Sequence, residues 1–370
     1  MNVRFFLTAA LAATLLIPAA SFAAPKDMNC TSALMSTHPS MANGVLPFWR
    51  NIADRSNGEF AVTYYEPGTL VPDKEMYPAT IKGIVHANFS LGVGMFKKAF
   101  PLATSMDLPL GFPSSSATGL AYFKTMQKYP QAQAEFSKVI LSSASSSVPN
   151  DILTIKKISS LKELKGLRIG VMTASAADII KALDGAPIQV NLSDMYTSLQ
   201  RGMLDGVLLP IPVFKSTKVT EAAKYLLDCN LAVASSFSVV SPVFYNSLSD
   251  NGKALFDEIL GTPGLIAYFA YFTDIAGKTD LEFVKANHGV EVTPLAPGDE
   301  EFLAERTKPM YDAWAELAKG TGVNTDEFLA DLRANIKFYS DPANIIAARQ
   351  EFADYAKKVG FKLPENFLEY

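Results

Sequence analysis

A chain of 370 residues is long enough for about two domains with buried cores. With 49% hydrophobic and 19% charged residues, it is neither a disordered chain nor a coiled coil. A formal net charge of −4 and the lack of any long basic run exclude nucleic acid or an anionic membrane as a partner held by long-range charge.

The chain begins as a secretory signal. Met1-Asn2-Val3-Arg4 carries one positive charge, Phe5 to Ile17 is apolar, and the small residues Ser21 and Ala23 precede a cleavage site after Ala23. The competing reading, an uncleaved anchor, needs roughly 20 apolar residues, more than the run from Phe5 to Ala20 supplies. Residues 1–23 are therefore set aside as a signal peptide, and the mature chain is expected to be exported without membrane insertion. Export permits a Cys30–Cys229 disulfide, and two separately buried thiols fit equally well.

In chain order, hydrophobic periodicity predicts a strand at 29–36 and a helix at 39–56 stopped by Asn57-Gly58. A strand Phe60–Tyr65, a helix 73–81, a strand 86–91 and a Ser-capped helix 114–129 follow. Strands at 139–144 and 152–156 lead into the clearest α/β stretch, with strands at 167–171, 188–191, 206–209 and 225–229 and helices at 175–183 and 193–203. Alternation of this kind predicts βαβ units and a mostly parallel sheet. A long apolar strand is expected at 237–244. From Ser249 onward the pattern is helical apart from a strand at 290–295, and one helix, 265–287, is long enough to cross a small domain.

Motifs for chemistry are mostly missing. There is no H-E-x-x-H, C-x-x-C, P-loop or G-x-S-x-G, and Gly92-Val93-Gly94 fails as a dinucleotide fingerprint because Lys97 stands at the third glycine position. His38, His86 and His288 lack ligand spacing, so no metal or cofactor is expected. An exported two-lobed α/β chain with no catalytic set reads as a solute-binding protein that closes two lobes on a ligand. Open α/β sheets bind at the carboxyl ends of their strands.

Leu161-Lys162-Glu163-Leu164-Lys165-Gly166-Leu167-Arg168-Ile169-Gly170-Val171, with Ser193-Asp194-Met195-Tyr196-Thr197-Ser198-Leu199-Gln200-Arg201-Gly202 and Leu204-Asp205-Gly206, resembles the substrate-binding subunit of TRAP transporters, the DctP family. Tyr65-Glu66-Pro67-Gly68-Thr69-Leu70, Phe100-Pro101-Leu102 and Asp107-Leu108-Pro109-Leu110 match its weaker upstream motifs. The resemblance implies two α/β lobes with hinge strands and a long shared helix. It also implies capture of a small organic acid in the periplasm and delivery to a TRAP membrane permease, with no enzymatic step. Expected lobe boundaries are 24–150 with 235–275 for the first lobe and 151–234 with 276–330 for the second; 331–370 would pack as C-terminal helices. A periplasmic sensor partner is an alternative on the same fold, and an exported enzyme a weaker one.

One departure from the family pattern stands out. The arginine that the family uses to clamp a ligand carboxylate aligns with Gly170, and its polar strand aligns with Val207-Leu208-Leu209-Pro210. The expectation is a more apolar pocket in which the missing side chain leaves room for an aromatic or apolar acid. Candidate ligand residues are Tyr65, Ser90, Gly94, Phe96, Asn150, Arg168, Gly170, Met172, Thr173, Tyr196, Leu208, Phe214 and Ser241. Arg168, Lys97, Lys98 and His38 are the cations and histidine considered as replacement anchors.

Overall fold

The computed structural model describes residues 24–369, apart from the side chains of Lys215 and Ser216. The signal-peptide expectation lies outside the described residues. Eleven strands among the described residues form two sheets. They are β1 Lys26–Thr31, β2 Phe60–Tyr65, β3 Ala87–Gly92, β4 Ile140–Ser146, β5 Asn150–Thr154, β6 Arg168–Val171, β7 Ala186–Gln189, β8 Gly206–Pro210, β9 Tyr225–Ala232, β10 Ser235–Val240 and β11 Glu291–Pro294.

The first sheet has the order β2-β1-β3-β10-β4 and the second β11-β9-β5-β8-β6-β7. β1 pairs in parallel with β2 and β3, while β10 runs antiparallel between β3 and β4. In the second sheet β5 is antiparallel to both β8 and β9, and β6 is parallel to β7 and β8. Both sheets are thus mixed rather than mostly parallel. The reason is topological: the chain passes directly from a strand of one sheet to a strand of the other twice, from β4 to β5 and from β9 to β10, and each of these strands, β5 and β10, enters its new sheet against its neighbours. These two short crossovers, at 146–150 and 232–235, leave the carboxyl ends of β1, β2, β3, β6 and β8 on the side of each sheet that faces the other.

Local chemistry explains where elements start and stop. The apolar strand expected at 237–244 ends at Val240, because Pro242 has no N–H for a ladder and instead opens a short helix, Pro242–Asn246. The helix expected at 193–203 shrinks to Met195–Gln200, and the chain leaves it through Gly202 at φ 67°. The first strand sits earlier than its apolar run suggested: it pairs with β2 from Lys26, and beyond Thr31 the Ser32 hydroxyl accepts from the Leu34 amide and turns the chain out of the sheet.

Two helices cross from one lobe to the other. Helix Pro263–His288 starts with Pro at its first position and a Thr262 hydroxyl accepting from the Leu265 amide, and it ends at Gly289 at φ 64°. Its 26 residues reach about 39 Å. The half around Leu265, Tyr268 and Phe272 packs into the first lobe, and Leu281 and Val284 pack into the second. Helix Asp299–Ala318 does the same on another side, placing Phe302 and Leu303 in the second lobe and Trp314 and Ala318 in the first. The first lobe's core is aromatic, built around Phe48, Trp49, Phe89 and Phe237; the second's is mostly Leu, Ile and Val.

Candidate functional site

Where the two lobes meet beside helix Asp299–Ala318, they enclose a cavity of about 810 Å³. The first lobe contributes Lys97, Thr104, Asp107 and Leu108. The second contributes Ser175, Asp178 and Lys181 from helix Ala174–Ala182. The crossing helix adds a mostly apolar wall that includes Pro309, Met310 and Trp314. Trp314 is fixed there because its indole Nε1 donates to the Pro101 carbonyl at 3.0 Å.

The charges of this cavity are unevenly used. Arg306 is spoken for, since its guanidinium donates to the Ala182 carbonyl at 2.8 Å and to the Asp184 carboxylate. Lys97 and Lys181, one from each lobe, have no ion-pair partner among the described residues. Asp107 accepts a 2.5 Å hydrogen bond from the Ser235 hydroxyl, at the first residue of β10. Burial pushes its carboxyl up to about 6, and the Ser235 hydroxyl and amide pull it back. Asp178 and Glu305 line the same cavity and also lack ion-pair partners among the described residues, so its lining carries three cations and three carboxylates. An anion can still meet Lys97 and Lys181 from the two lobes and pack an apolar body on Met310, Leu108 and Trp314.

None of the ligand residues expected from sequence lines this cavity; Thr173, Gly94 and Phe96 adjoin residues that do, and Met172, Asn150, Tyr65, Ser90 and Tyr196 are placed as follows. Thr173 caps helix Ala174–Ala182, accepting from the Ala176 amide at 3.2 Å, and its hydroxyl pairs with Ser175 on the cavity wall. Met172, just before it, is exposed at the carboxyl end of β6. Gly94 adjoins Asp107, and Phe96, which packs against Tyr77 at 5.6 Å, precedes Lys97. Asn150 starts β5 at a crossover, with its side-chain oxygen buried and unpartnered among the described residues. Tyr65 ends β2 with its carbonyl accepting from the Thr31 hydroxyl, and Ser90 is buried within β3. Tyr196 is half-buried on helix Met195–Gln200, within 3.4 Å of the Gln200 amide.

Other expected residues are placed elsewhere, for physical reasons. Gly170 opens no space: a side chain there would begin 2.8 Å from Leu204 Cδ1 and 2.9 Å from Met195 Sδ, inside the second lobe's core. Leu208 and Phe214 are core residues of the same lobe. Arg168 stands at the start of β6, away from the facing strand ends, and its guanidinium forks onto Asp205 at 2.8 and 2.9 Å. Ser241 follows the end of β10 beside His86, at the opposite end of the first sheet. Of the other anchors considered, Lys98 is exposed and outside the cavity, and His38 shares its Nδ1 with the Ser40 hydroxyl at 2.7 Å while burial lowers its pKa. Cys30 and Cys229 are both free and buried, one in each lobe's core, and burial pushes both thiols up.

Sequence reasoning missed Asp107, Lys181, Asp178, Thr104 and Trp314 as site residues. They come from segments some 200 residues apart, and no spacing rule joins them. Asp107 did fall inside a motif matched to the family, without a role.

A family model described as bacterial extracellular solute-binding protein, family 7 (DctP), matches residues 32–317. The chain belongs to that family. Among solved structures, this family-7 chain is similar in fold to a TRAP periplasmic solute-binding protein from Desulfovibrio salexigens (TM-score 0.78, 23% identity, covering 85% of this chain and 97% of that one). A second, from Bordetella bronchiseptica, was solved with bound (R)- and (S)-mandelate (TM-score 0.71, 22% identity, 85% and 100% covered). A third, from Rhodoferax ferrireducens, holds copurified benzoate (TM-score 0.72, 19% identity, 85% and 98% covered). Both described lobes, the crossovers and the long shared helix thus fit the two-lobed architecture of these proteins. Among curated relatives, an uncharacterised protein of Haemophilus influenzae is 24% identical over 162 residues, 43% of this chain and 48% of that protein. The matches to it and to YiiZ of Salmonella typhimurium span about half of those relatives' length. The ectoine-binding periplasmic protein TeaA of Halomonas elongata is 24% identical, covering 75% of this chain and 82% of TeaA.

Proposed function

We propose that this family-7 protein captures a small organic acid in the cavity beside helix Asp299–Ala318 and hands it, chemically unchanged, to a TRAP-type membrane permease. Residues 1–23 act as an export signal in this reading and place the mature chain in the periplasm. The lobes, 24–150 with 235–275 and 151–234 with 276–330, move against each other about the two crossovers, with 331–370 packed on them as C-terminal helices. The observation that carries the reading is the pair Lys97 and Lys181: two cations without ion-pair partners, from opposite lobes, bordering one cavity with an apolar wall. An anion between them is attracted to both lobes at once and favours their approach. Acids bound by the fold neighbours from Bordetella and Rhodoferax, mandelate and benzoate, have the size and amphipathic character this cavity suits. No observation favours the sensor or enzyme alternatives over transport.

The test is thermal shift of the mature protein against aliphatic dicarboxylates, sugar acids, aromatic monoacids and their uncharged counterparts. A ligand at 100 times its Kd adds about 2.7 kcal/mol to the folded form, a rise of several degrees. At least one acid is expected to give that rise, and its uncharged counterpart none. The Lys97→Ala/Lys181→Ala double variant should lose the response; a response kept in full would place the ligand elsewhere.

A further inference from the structure

A carboxylate in the wall of an anion's cavity needs an explanation. Asp107 lines the cavity from the first lobe, its Oδ1 taken by the Ser235 hydroxyl at 2.5 Å. Next to Oδ2 stands Gly94, where any side chain would begin 3.0 Å from that oxygen. Three residues further along the chain is Lys97; across the cavity are Lys181 and Asp178 of the second lobe, and helix Asp299–Ala318 adds Glu305. A plain carboxylate held between the lysines would be repelled by an ionised Asp107. A ligand that also carries a hydroxyl or ammonium group would instead give Asp107 a charge-assisted hydrogen bond.

Resting on the reading of this cavity as the ligand site, we propose that Asp107 selects acids bearing a second, hydrogen-bond-donating group: a hydroxy or amino acid, its carboxylate toward Lys97 and Lys181 and its donor on Asp107. Ser235 occupies one oxygen at the crossover into β10, so the ligand's donor arrives where the lobes are joined. A site built to bond a donor rejects the analogue lacking it by large factors; with Ser235 already serving Asp107, the expected preference is about 10- to 100-fold.

Isothermal titration of the mature protein with three-member sets on one skeleton tests this: 3-phenylpropionate, phenyllactate and phenylalanine, and butyrate with its 2-hydroxy and 2-amino forms. The hydroxy or amino member should bind at least about tenfold tighter than the plain acid. Asp107→Ala should shrink that preference to threefold or less, whereas Asp107→Asn should spare a preference for the hydroxyl and abolish one for the ammonium. Lys97→Ala should weaken every member alike. Should the Asp107 variants fail to fold, Ser235→Ala removes the internal competitor and should widen the preference; an unchanged or narrowed one overturns the proposal. Plain acids that bind as tightly as their substituted forms, with Lys97→Ala still weakening them, would overturn the role of Asp107 and leave the transport reading standing. A protein that binds none of the acids would overturn both.

Discussion

Two cavities flank the crossovers, each walled by a helix that passes between lobes, and they differ in what their carboxylates are doing. The second, of about 390 Å³ beside helix Pro263–His288, contains Asp151, Asp228 and Asp274 and is the more acidic. Its two most buried carboxylates are already engaged. Asp274 accepts from the Ser115 amide at 2.8 Å, the Ser116 amide at 3.1 Å and the Ser116 hydroxyl at 2.5 Å, tying the long helix to the start of helix Ser115–Lys128. Asp151 accepts from the Cys229 and Asn230 amides, both at 2.9 Å, and holds β9 where its register to β5 shifts. In the cavity beside helix Asp299–Ala318, two lysines lack ion-pair partners among the described residues, and Asp107 is bonded by Ser235. The contrast is between buried carboxylates already engaged on one side of the crossovers and lysines without ion-pair partners on the other, where the ligand is proposed to bind.

The largest effect tests whether a third opening exists at Gly170. Gly170→Arg would bury an unpaired guanidinium among Leu204, Met195 and Val207, at a cost of about 4 kcal/mol or more. Urea unfolding should show that loss, or the variant should fail to accumulate folded. A variant of wild-type stability with tighter acid binding would restore the idea that this position faces ligand.

Next comes the engaged cavity itself. Asp274→Ala strips acceptors from two amides in the first turn of helix Ser115–Lys128 and leaves them buried, which costs about 3 kcal/mol. The urea midpoint should fall accordingly while acid affinity, measured below the transition, stays within about twofold. A large change in affinity would move the ligand to this side of the crossovers.

Asp151 separates the two cavities by pH. Burial raises its carboxyl to about 7, even with two amides opposing the shift. Because the folded value lies above the unfolded one, its stabilisation is complete below the ordinary carboxylate range and is lost as pH rises through about 7. Asp151→Asn keeps an acceptor for both amides and has no charge to bury. Relative to wild type it should gain on the order of 1–3 kcal/mol between pH 4 and pH 8.5, most of it below about pH 7. Equal pH profiles for the two proteins in thermal unfolding would show that Asp151 does not titrate between them.

Much of the fold was legible from pattern, and for identifiable reasons. Phe60–Tyr65 is a run of aromatic and β-branched residues that forms an edge strand, Ser114 caps its helix as its residue type suggests, and Pro263 with Gly289 bounds the long helix. What escaped depended on partners far along the chain. The antiparallel insertion of β10 between β3 and β4 is set by the crossovers and not by the composition of 235–240. At the site, the cation Lys97 was readable as a candidate, but its counterpart Lys181 looks like any lysine on an exposed helix face. Gly170 was misread because a missing side chain says nothing of what fills its place; only the positions of Leu204 and Met195 reveal that.

The smallest effect concerns Arg168, the cation nearest in sequence to the position the family uses. Its fork onto Asp205 joins the start of β6 to the turn before β8, and its backbone amide donates to the same carboxylate at 2.9 Å. That second bond keeps Asp205 in place when the side chain is removed. Both partners are substantially exposed, 43% and 35% at their side chains, so solvent screens the pair. Arg168→Ala should cost less than about 1 kcal/mol, less still in high salt, and leave acid affinity unchanged. If titration instead found a tenfold loss of affinity, a cation at the far end of β6 would be reaching the ligand. The contrast between engaged and free charges would then have to be redrawn with Arg168 on the free side.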